Sequence, residues 1–289
     1  MAAVKVEPLV GVDWLKTKLD TSSIRIVDGS WHLPTLERNP RIEYEESHIP
    51  GAVFFDVDLI SDITSSLPHM VPTEQVFATH IEALGISNDD HVIAYDTTGV
   101  GSAARVWWMF RLFGHTSVSV LNGGLPAWTL AGGPVENQVP KIKKSVFTTH
   151  LDRSLLRMID DIRSNLETEM EQIVDARTEG RFKGVEPEPR PKLQSGHIPN
   201  SLNLPFLKLY NSETKLMKPA SELRRLFSTA NVSLEKGVIT TCGSGITACN
   251  IALALYLIGC NCAVYDGSWT EWGGRNDTPI ATSRELRWR

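Results

Sequence analysis

A cysteine set in a glycine-rich loop is the stretch of this sequence best equipped for chemistry. Cys242 is followed by Gly243, Ser244 and Gly245. The glycines let the backbone curl so that several N–H groups point at one place, where a following helix adds partial positive charge. These surroundings favour the nucleophilic thiolate of a cysteine. The alternative is a small buried apolar residue at a strand end, but the combination of turn, amide donors and helix start at one sulfur favours catalysis.

The residues on either side of the loop predict the elements that position it. β-Branched residues over 238–241 follow the turn-forming Gly237 and predict a short buried strand. Apolar or small residues over 246–258, with Gly259 as the stop, predict a buried helix. Cys242 is therefore expected between the end of a strand and the start of a helix.

The first half of the chain alternates strand and helix signals. Runs rich in β-branched residues alternate with longer apolar or amphipathic runs. The predicted strands cover residues 24–27, 91–95 and 117–121, and the predicted helices cover 77–84 and 103–113. This alternation is typical of βαβ units, so we expect an α/β fold with a mainly parallel sheet flanked by helices.

The second half repeats landmarks of the first half in the same order. The members of each pair are separated by 144 to 149 residues. The pairs are Asp28 and Asp175, the His-Ile-Pro sequences at 48–50 and 197–199, Asp96 and Cys242, and the turns Asn-Gly-Gly at 122–124 and Asp-Gly-Ser at 266–268. Landmarks at nearly constant offset indicate a duplicated domain.

The repeat predicts two tandem domains, at residues 1–140 and 141–289. The segment 132–144 is rich in Gly, Pro and polar residues and is typical of a linker. The first copy has Asp96 where the second has Cys242, and a carboxylate cannot replace a soft sulfur nucleophile. We therefore expect the second domain to be catalytic and the first to supply a wall and side chains.

The two His-Ile-Pro sequences are expected to fix turns rather than to catalyse. His48 and His197 each precede Ile-Pro, which favours a turn. Both copies carry the histidine although only one copy carries the cysteine, so a structural role explains the pair better.

Composition and charge exclude several classes of protein. The 289 residues are 42% hydrophobic and 22% charged, an ordinary balance for globular domains. The net charge is −5 and no run of Lys or Arg suggests a nucleic-acid surface. No apolar run approaches the roughly 18 residues that a membrane span needs, so we expect no membrane partner. No Cys/His spacing offers a set of metal ligands, so we expect neither a metal nor an organic cofactor.

The cysteines and the first residues suggest an intracellular protein. All four Cys lie in the last fifth of the chain, whereas a secreted disulfide framework would spread them more widely. The first residues form neither a secretory signal nor an Arg-rich presequence. We expect a reducing compartment, the cytoplasm or, through a weak import signal, the mitochondrion.

The duplicated pattern, the His-Ile-Pro turns and the cysteine loop resemble those of the two-domain rhodanese-like sulfurtransferases. The resemblance runs from Asp28 to Trp272, almost the whole chain. The loop Cys-Gly-Ser-Gly-Ile-Thr at 242–247 is similar to the Cys-Gly-Ser-Gly-Val/Ile-Thr of members that use 3-mercaptopyruvate. Members that use thiosulfate instead carry Cys-Arg-Lys-Gly-Val-Thr, whose two cations suit a dianion. The resemblance therefore implies 3-mercaptopyruvate as the substrate.

The resemblance also implies roles for individual residues. Arg181 and Arg190 match the family's substrate arginines and would fork onto the carboxylate and keto oxygen of the substrate, although by sequence alone they could be exposed loop-rim residues. Asp58, His69 and Ser244 match a relay that polarises the Ser hydroxyl to handle a proton. Loop N–H groups would hold the charge on sulfur. The implied substrate-binding residues of the loop are Gly243, Gly245, Ile246 and Thr247.

A two-step sulfur transfer follows from the resemblance. Cys242 would take sulfur from 3-mercaptopyruvate as a persulfide, release pyruvate, and pass the sulfur to cyanide or to an acceptor thiol such as thioredoxin or a small thiol. The alternatives are a thiosulfate sulfurtransferase, a non-catalytic module that binds or senses sulfur species, and a phosphatase of the Cys-x5-Arg type. The phosphatase is disfavoured because it needs an arginine at position 248, which is Ala.

Overall fold

Two compact units make up the chain, whose structure is a computed structural model that describes residues 6–282. Of the described residues, the first unit comprises 6–63, 71–152 and 211–217. The second comprises 64–70, 153–210 and 218–282. Each unit is a five-stranded sheet flanked by helices.

The sheet of the first unit has the strand order β1-β5-β4-β2-β3, and all its pairings are parallel. Its strands are β1 (Leu9–Val10), β2 (Ile24–Asp28), β3 (Val53–Phe54), β4 (His91–Tyr95) and β5 (Val118–Leu121). Its helices are α1 (Val12–Lys16), α2 (Pro40–Glu46), α3 (Glu74–Ala83), α4 (Ala103–Leu112) and α5 (Gly124–Leu130), with a 3₁₀ turn at Pro34–Leu36.

The sheet of the second unit has the order β6-β10-β9-β7-β8, again with parallel pairings throughout. Its strands are β6 (Leu156–Arg157), β7 (Glu171–Asp175), β8 (Leu202–Asn203), β9 (Gly237–Thr241) and β10 (Cys262–Tyr265). Its helices are α6 (Ile159–Thr168), α7 (Glu179–Phe182), α8 (Ala220–Thr229), α9 (Ala248–Leu257) and α10 (Ser268–Trp272), with 3₁₀ turns at Arg153–Leu155 and Phe206–Leu209.

The two sheets have the same topology, which confirms the duplicated α/β fold. Strands β4 and β9 occupy the central position of their sheets. Residues 92–95 and 238–241 are buried, as expected for parallel strands covered on both faces. The carboxyl end of a central parallel strand is a usual place for a ligand site, and Asp96 and Cys242 follow these two strands directly.

Backbone hydrogen bonds show that Asp96 and Cys242 occupy equivalent positions. The N–H of Leu125 in α5 donates to the carbonyl of Asp96 at 3.0 Å. The N–H of Trp269 in α10 donates to the carbonyl of Cys242, also at 3.0 Å. Residues paired by the sequence repeat therefore occupy the same place in the two folded units.

The His-Ile-Pro turns are fixed in the same way in both units. The His48 ring stacks on Tyr44 with centroids 4.2 Å apart, and its Nδ1 donates to the Tyr44 carbonyl at 2.6 Å. The His197 ring stacks on Phe182 at 3.8 Å, and its Nδ1 donates to the Phe182 carbonyl at 2.7 Å. These contacts support the expected turn-fixing role.

The first unit extends past the predicted boundary at residue 140. Its last residues pack on α3 and on the residues after α4. Phe147 is buried, and its ring centroid lies 6.1 Å from that of Phe77 in α3. The His150 N–H donates to the Phe113 carbonyl at 2.9 Å. Linker-like composition ends near 144, but the apolar Phe147 holds the chain on this unit as far as Asp152.

Candidate active site

The backbone of Cys242 is held on both sides by α10. Its N–H donates to Oγ of Ser268 at 3.2 Å, and its carbonyl accepts the Trp269 N–H. The Cys242 residue is 2% exposed. The nucleophile predicted from the sequence is thus fixed between the end of β9 and the loop that leads to α9.

Ser268 is a positioning residue that sequence reasoning missed. It is buried and adopts φ +49°, and its hydroxyl donates to the Tyr265 carbonyl at 2.8 Å while accepting from Cys242. The repeat contained a signal for it. The equivalent residue of the first unit is Gly124, which has φ +53°. A serine at a position that favours glycine indicates a specific use for its side chain.

The loop after Cys242 is tied to α10 as well. The Gly243 carbonyl accepts from the N–H of Thr270 at 2.8 Å and from its Oγ1 at 2.7 Å. Gly245 adopts φ +76°, a conformation that glycine allows without strain. Ser244 and Ile246 are buried, while Thr247 precedes the first residue of α9.

The equivalent loop of the first unit is built around the Asp96 carboxyl group. One carboxylate oxygen of Asp96 accepts the N–H groups of Thr98 and Gly99 at 2.9 and 2.8 Å. The other accepts those of Gly101 and Ala103 at 3.1 and 3.0 Å. The residue after the central strand therefore stands where four backbone donors converge, which is the property of an anion-binding nest.

His69 and Ser244 are brought together inside the second unit, to which residues 64–70 belong. His69 Nδ1 lies 3.0 Å from Ser244 Oγ and 3.3 Å from the Ser244 carbonyl oxygen, and both side chains are buried. His69 adopts φ +63°. A non-glycine residue in this left-handed region is often found at a functional site.

Asp58, the third residue of the predicted relay, belongs to the first unit. Its carboxylate accepts the indole N–H of Trp31, with oxygens at 3.1 and 3.2 Å from Nε1. Of the predicted relay, the hydrogen bond between His69 and Ser244 is thus present, and the relay as a whole stays a prediction.

Two guanidinium groups lie beside the loop that follows Cys242. A Cβ placed on Gly243 would be 3.3 Å from Nη2 of Arg181 and 3.9 Å from Nη1 of Arg190. Arg181 lies in the one-turn helix α7, whose start is capped by the Thr178 hydroxyl accepting the Arg181 N–H. The missing side chain at Gly243 therefore leaves room for positive charge beside the loop.

A buried chain of charges supports Arg181, and sequence reasoning did not find it. Arg177 is fully buried and donates to both Asp175 oxygens, to Glu188 Oε1 at 2.7 Å and to the Gly196 carbonyl at 2.8 Å. Burial lowers the pKa of Arg177, but the Asp175 and Glu188 carboxylates outweigh it and hold that pKa above its ordinary value. Glu188 Oε2 accepts Nε and Nη2 of Arg181 at 3.1 and 2.5 Å.

Within residues 6–282, no group of three or more His, Cys, Asp or Glu side chains is arranged to hold a metal ion. No helix in the same range is long and apolar enough to cross a membrane.

A family model for the rhodanese-like domain matches residues 11–131 and 158–275. The fold, the repeat and the cysteine loop thus define a protein of two tandem rhodanese-like domains, and the chain belongs to the rhodanese-like family.

The known relatives of this chain within the family are enzymes. The mitochondrial thiosulfate/3-mercaptopyruvate sulfurtransferase 1 of Arabidopsis thaliana is 44% identical, over 95% of this chain and 78% of its own length. The thiosulfate sulfurtransferase of Cricetulus griseus is 46% identical over 91% of each chain. The crystal structure of SseA, a 3-mercaptopyruvate sulfotransferase of Escherichia coli, has a TM-score of 0.84 at 37% identity and covers 91% of this chain and 99% of its own. The protein is a sulfurtransferase of the rhodanese-like family.

Proposed function

We propose that the protein transfers sulfur from 3-mercaptopyruvate to a thiol or cyanide acceptor through a persulfide on Cys242, with release of pyruvate. The observation that carries the proposal is the position of Arg181 and Arg190 beside Gly243, where a side chain would meet their guanidinium groups. These cations can bind a carboxylate and an α-keto oxygen some distance from the reacting sulfur.

The first half-reaction forms the persulfide. The Cys242 thiolate attacks the sulfur of 3-mercaptopyruvate, and a new S–S bond forms as the substrate C–S bond breaks. The electron pair of that bond leaves on carbon as pyruvate enolate, which takes up the proton that the substrate thiol gives up. Cys242 keeps the sulfur as an anionic persulfide.

The second half-reaction returns the enzyme to its starting state. An acceptor thiolate, or cyanide, attacks the outer sulfur of the persulfide. The S–S bond breaks, and Cys242 leaves as thiolate, ready for another cycle. We propose thioredoxin or a small thiol as the acceptor, with the cytoplasm or the mitochondrion as the compartment.

Backbone N–H groups of the loop at 243–247 are proposed to hold the persulfide charge. Support comes from the first unit, where four backbone N–H groups converge on the Asp96 carboxylate at the equivalent position. Preorganised amide donors aimed at developing charge stabilise it without reorganisation during the reaction.

Ser244 is proposed to pass the proton, with His69 as its partner and Asp58 as the third member of the relay. The 3.0 Å separation of His69 Nδ1 and Ser244 Oγ supports the first two roles. A neutral histidine that accepts a hydrogen bond from the Ser244 hydroxyl makes that hydroxyl better able to take a proton. The hydroxyl can then return the proton to the enolate carbon.

Thiosulfate is the competing donor. A relative named 3-mercaptopyruvate sulfurtransferase is 44% identical to this chain, and one named thiosulfate sulfurtransferase is 46% identical. Overall identity therefore does not discriminate between the donors. The local argument does, since Gly243 and Ser244 add no charge beside the sulfur and thus favour a monoanionic carboxylate over a dianion.

A donor panel tests the proposal. Purified protein is given 3-mercaptopyruvate or thiosulfate with cyanide or a small thiol, and pyruvate and thiocyanate or sulfide are measured. We expect the higher kcat/KM with 3-mercaptopyruvate and no turnover from Cys242→Ser. Efficient use of thiosulfate with poor use of 3-mercaptopyruvate would contradict the substrate assignment, and turnover by Cys242→Ser would contradict the persulfide.

A further inference from the structure

We propose that Glu188 is a positioning residue for the sulfur-transfer reaction: its buried carboxylate holds the Arg181 guanidinium against the catalytic loop. The inference rests on the proposed function, because it assigns to Arg181 the carboxylate or keto oxygen of the donor. Glu188 itself acts on the substrate only through Arg181.

The Glu188 carboxylate is shared between two arginines. Its side chain is 2% exposed. Oε1 accepts Nη1 of Arg177 at 2.7 Å, and Oε2 accepts Nε and Nη2 of Arg181 at 3.1 and 2.5 Å. Both oxygens are therefore engaged by charged donors, the stronger class of hydrogen bond.

Arg177 connects this carboxylate to the element that holds the nucleophile. Its guanidinium is fixed by Asp175 and lies over the Trp269 ring, with Cζ 4.1 Å from the ring centroid. Trp269 also donates its backbone N–H to the Cys242 carbonyl. Arg181 is thus linked to Cys242 by a series of contacts through Glu188, Arg177 and Trp269.

Arg181 needs such a support because its own element is short. Helix α7 has four residues, and the Arg181 side chain is 18% exposed. A long side chain on a single turn of helix has many rotamers, and fixing one of them costs entropy. A buried carboxylate that accepts from both Nε and Nη2 selects a single orientation of the guanidinium plane before substrate binds.

Two effects of Glu188 on an anionic substrate have opposite signs. Its negative charge opposes the binding of a carboxylate, so charge alone predicts tighter binding when the charge is removed. Its hold on Arg181 favours binding, so position predicts weaker binding when the hold is lost. We expect the loss of position to outweigh the loss of repulsion, and a substitution that removes the charge at nearly constant shape separates the two effects.

Glu188→Gln is that substitution. An amide accepts at one end only, so one arginine loses its partner. We expect KM for 3-mercaptopyruvate to rise more than kcat falls, with kcat/KM lowered roughly ten- to a hundredfold. An unchanged or lower KM would overturn the proposal.

A second readout separates positioning from a general structural defect. The variant is loaded with excess 3-mercaptopyruvate, freed of donor, and its persulfide is discharged by 2-mercaptoethanol, a neutral thiol that needs no carboxylate grip. We expect the wild-type discharge rate. A discharge rate that falls as much as persulfide formation would mean that Glu188 only maintains the fold, and would overturn the proposal.

A double-mutant cycle with Arg181→Ala gives the third readout. If Glu188 acts through Arg181, Glu188→Gln adds no further loss of kcat/KM in the Arg181→Ala background, whereas additive losses contradict the proposal. Should Glu188→Gln not fold, Glu188→Asp keeps the charge but withdraws it by one methylene; a folded Asp variant with wild-type KM would also overturn it. Failure of wild-type protein to use 3-mercaptopyruvate would instead remove the proposed function.

Discussion

At the scale of single residues, the absence of a side chain at Gly243 leaves space beside the loop for an arginine. A Cβ on Gly243 would lie 3.3 Å from Nη2 of Arg181, closer than most such contacts, and 3.9 Å from Nη1 of Arg190, an ordinary contact distance. Ser244, the next residue of the loop, lies at hydrogen-bonding distance from His69. The guanidinium groups and the His69 ring thus lie beside consecutive residues of the loop that follows Cys242.

Arg190→Ala is expected to weaken the use of 3-mercaptopyruvate. Loss of a charge-assisted hydrogen bond costs about 1.5–3 kcal/mol, which corresponds to roughly a 10- to 150-fold fall in kcat/KM. Steady-state kinetics with 3-mercaptopyruvate as the donor measure this fall in kcat/KM. The matched control is Lys183→Ala, because Lys183 pairs with Glu179 at an exposed position and such pairs contribute little. Equal kcat/KM for Arg190→Ala and wild type would remove Arg190 from the site.

Ser244→Ala is expected to lower kcat by about a hundredfold, the lower end of what general acid–base catalysis contributes. The reason is the loss of the hydroxyl that faces His69 Nδ1. Pyruvate formation at saturating donor measures kcat, and Ser228→Ala, an exposed serine of α8, is the control. A kcat unchanged by Ser244→Ala would mean that the relay does not operate.

At the scale of elements, β2 and its counterpart β7 each end on a buried aspartate, but the partners of the two carboxylates differ. Asp175 accepts from the Arg177 guanidinium, whereas Oδ1 of Asp28 accepts the N–H and the hydroxyl of Ser30 at 2.9 and 2.5 Å. Burial raises the pKa of Asp28 to about 6; the Ser30 hydrogen bonds oppose this, and the Asp96 charge adds to it.

Asp28→Asn is expected to stabilise the protein in a pH-dependent way. The Asp28 pKa is raised from 3.8 to about 6 on folding, so stability falls as pH rises through that window, by about 3 kcal/mol when complete. Asn cannot ionise and keeps an oxygen for both Ser30 donors. The gain in free energy of unfolding for Asp28→Asn should therefore grow by about 2.5 kcal/mol between pH 4 and pH 8 in urea titrations.

The exposed Asp89 provides the control for this prediction. Asp89→Asn should show no comparable change between the two pH values, because an exposed carboxyl stays hydrated in both states. A difference between Asp28→Asn and wild type that is independent of pH would contradict the assignment of a raised pKa to Asp28.

At the scale of the whole molecule, one domain design is used twice with different residues at the central loop. The same strand order and the same backbone hydrogen bond to the residue after the central strand recur in both units. In the first unit that residue is the carboxylate of Asp96, which engages the loop donors itself. The two copies thus differ at the residue that follows the central strand, which is an aspartate in the first unit and a cysteine in the second.

A cysteine in the first loop should therefore not replace the one in the second. The combination Asp96→Cys with Cys242→Ser is expected to show no more sulfur transfer than Cys242→Ser alone, because the proposed substrate arginines, Arg181 and Arg190, lie at the second loop. Turnover above the Cys242→Ser level, measured as pyruvate release from 3-mercaptopyruvate, would show that the first unit is chemically competent.

The long central elements could be predicted from the sequence, and the short edge strands could not. Residues 91–95 were expected as a strand and form β4, because a buried parallel strand is a run of β-branched and apolar residues. The two-residue strands β1, β3, β6 and β8 are too short to carry a period. The helix expected over 246–258 spans Ala248–Leu257, with Thr247 at its N-cap, so the difference is one or two residues at each end.

The candidate site was predictable in its nucleophile and loop but not in its supports. Cys242 and its glycines form one contiguous signal. The chain from Asp175 through Arg177 and Glu188 to Arg181 depends on tertiary contacts. An Asp-x-Arg sequence and a Pro-flanked glutamate have many structural uses, so their connection is visible only once β7, α7 and the loop after α7 are placed in space.

The intact mass of the protein after brief reaction with 3-mercaptopyruvate, without an acceptor, tests the central claim most directly. The account predicts a gain of one sulfur atom per chain, located on the peptide that contains Cys242, lost on addition of cyanide or a small thiol, and not formed by Cys242→Ser. Pyruvate release with the added sulfur on another cysteine, or with no covalent sulfur at all, would contradict it.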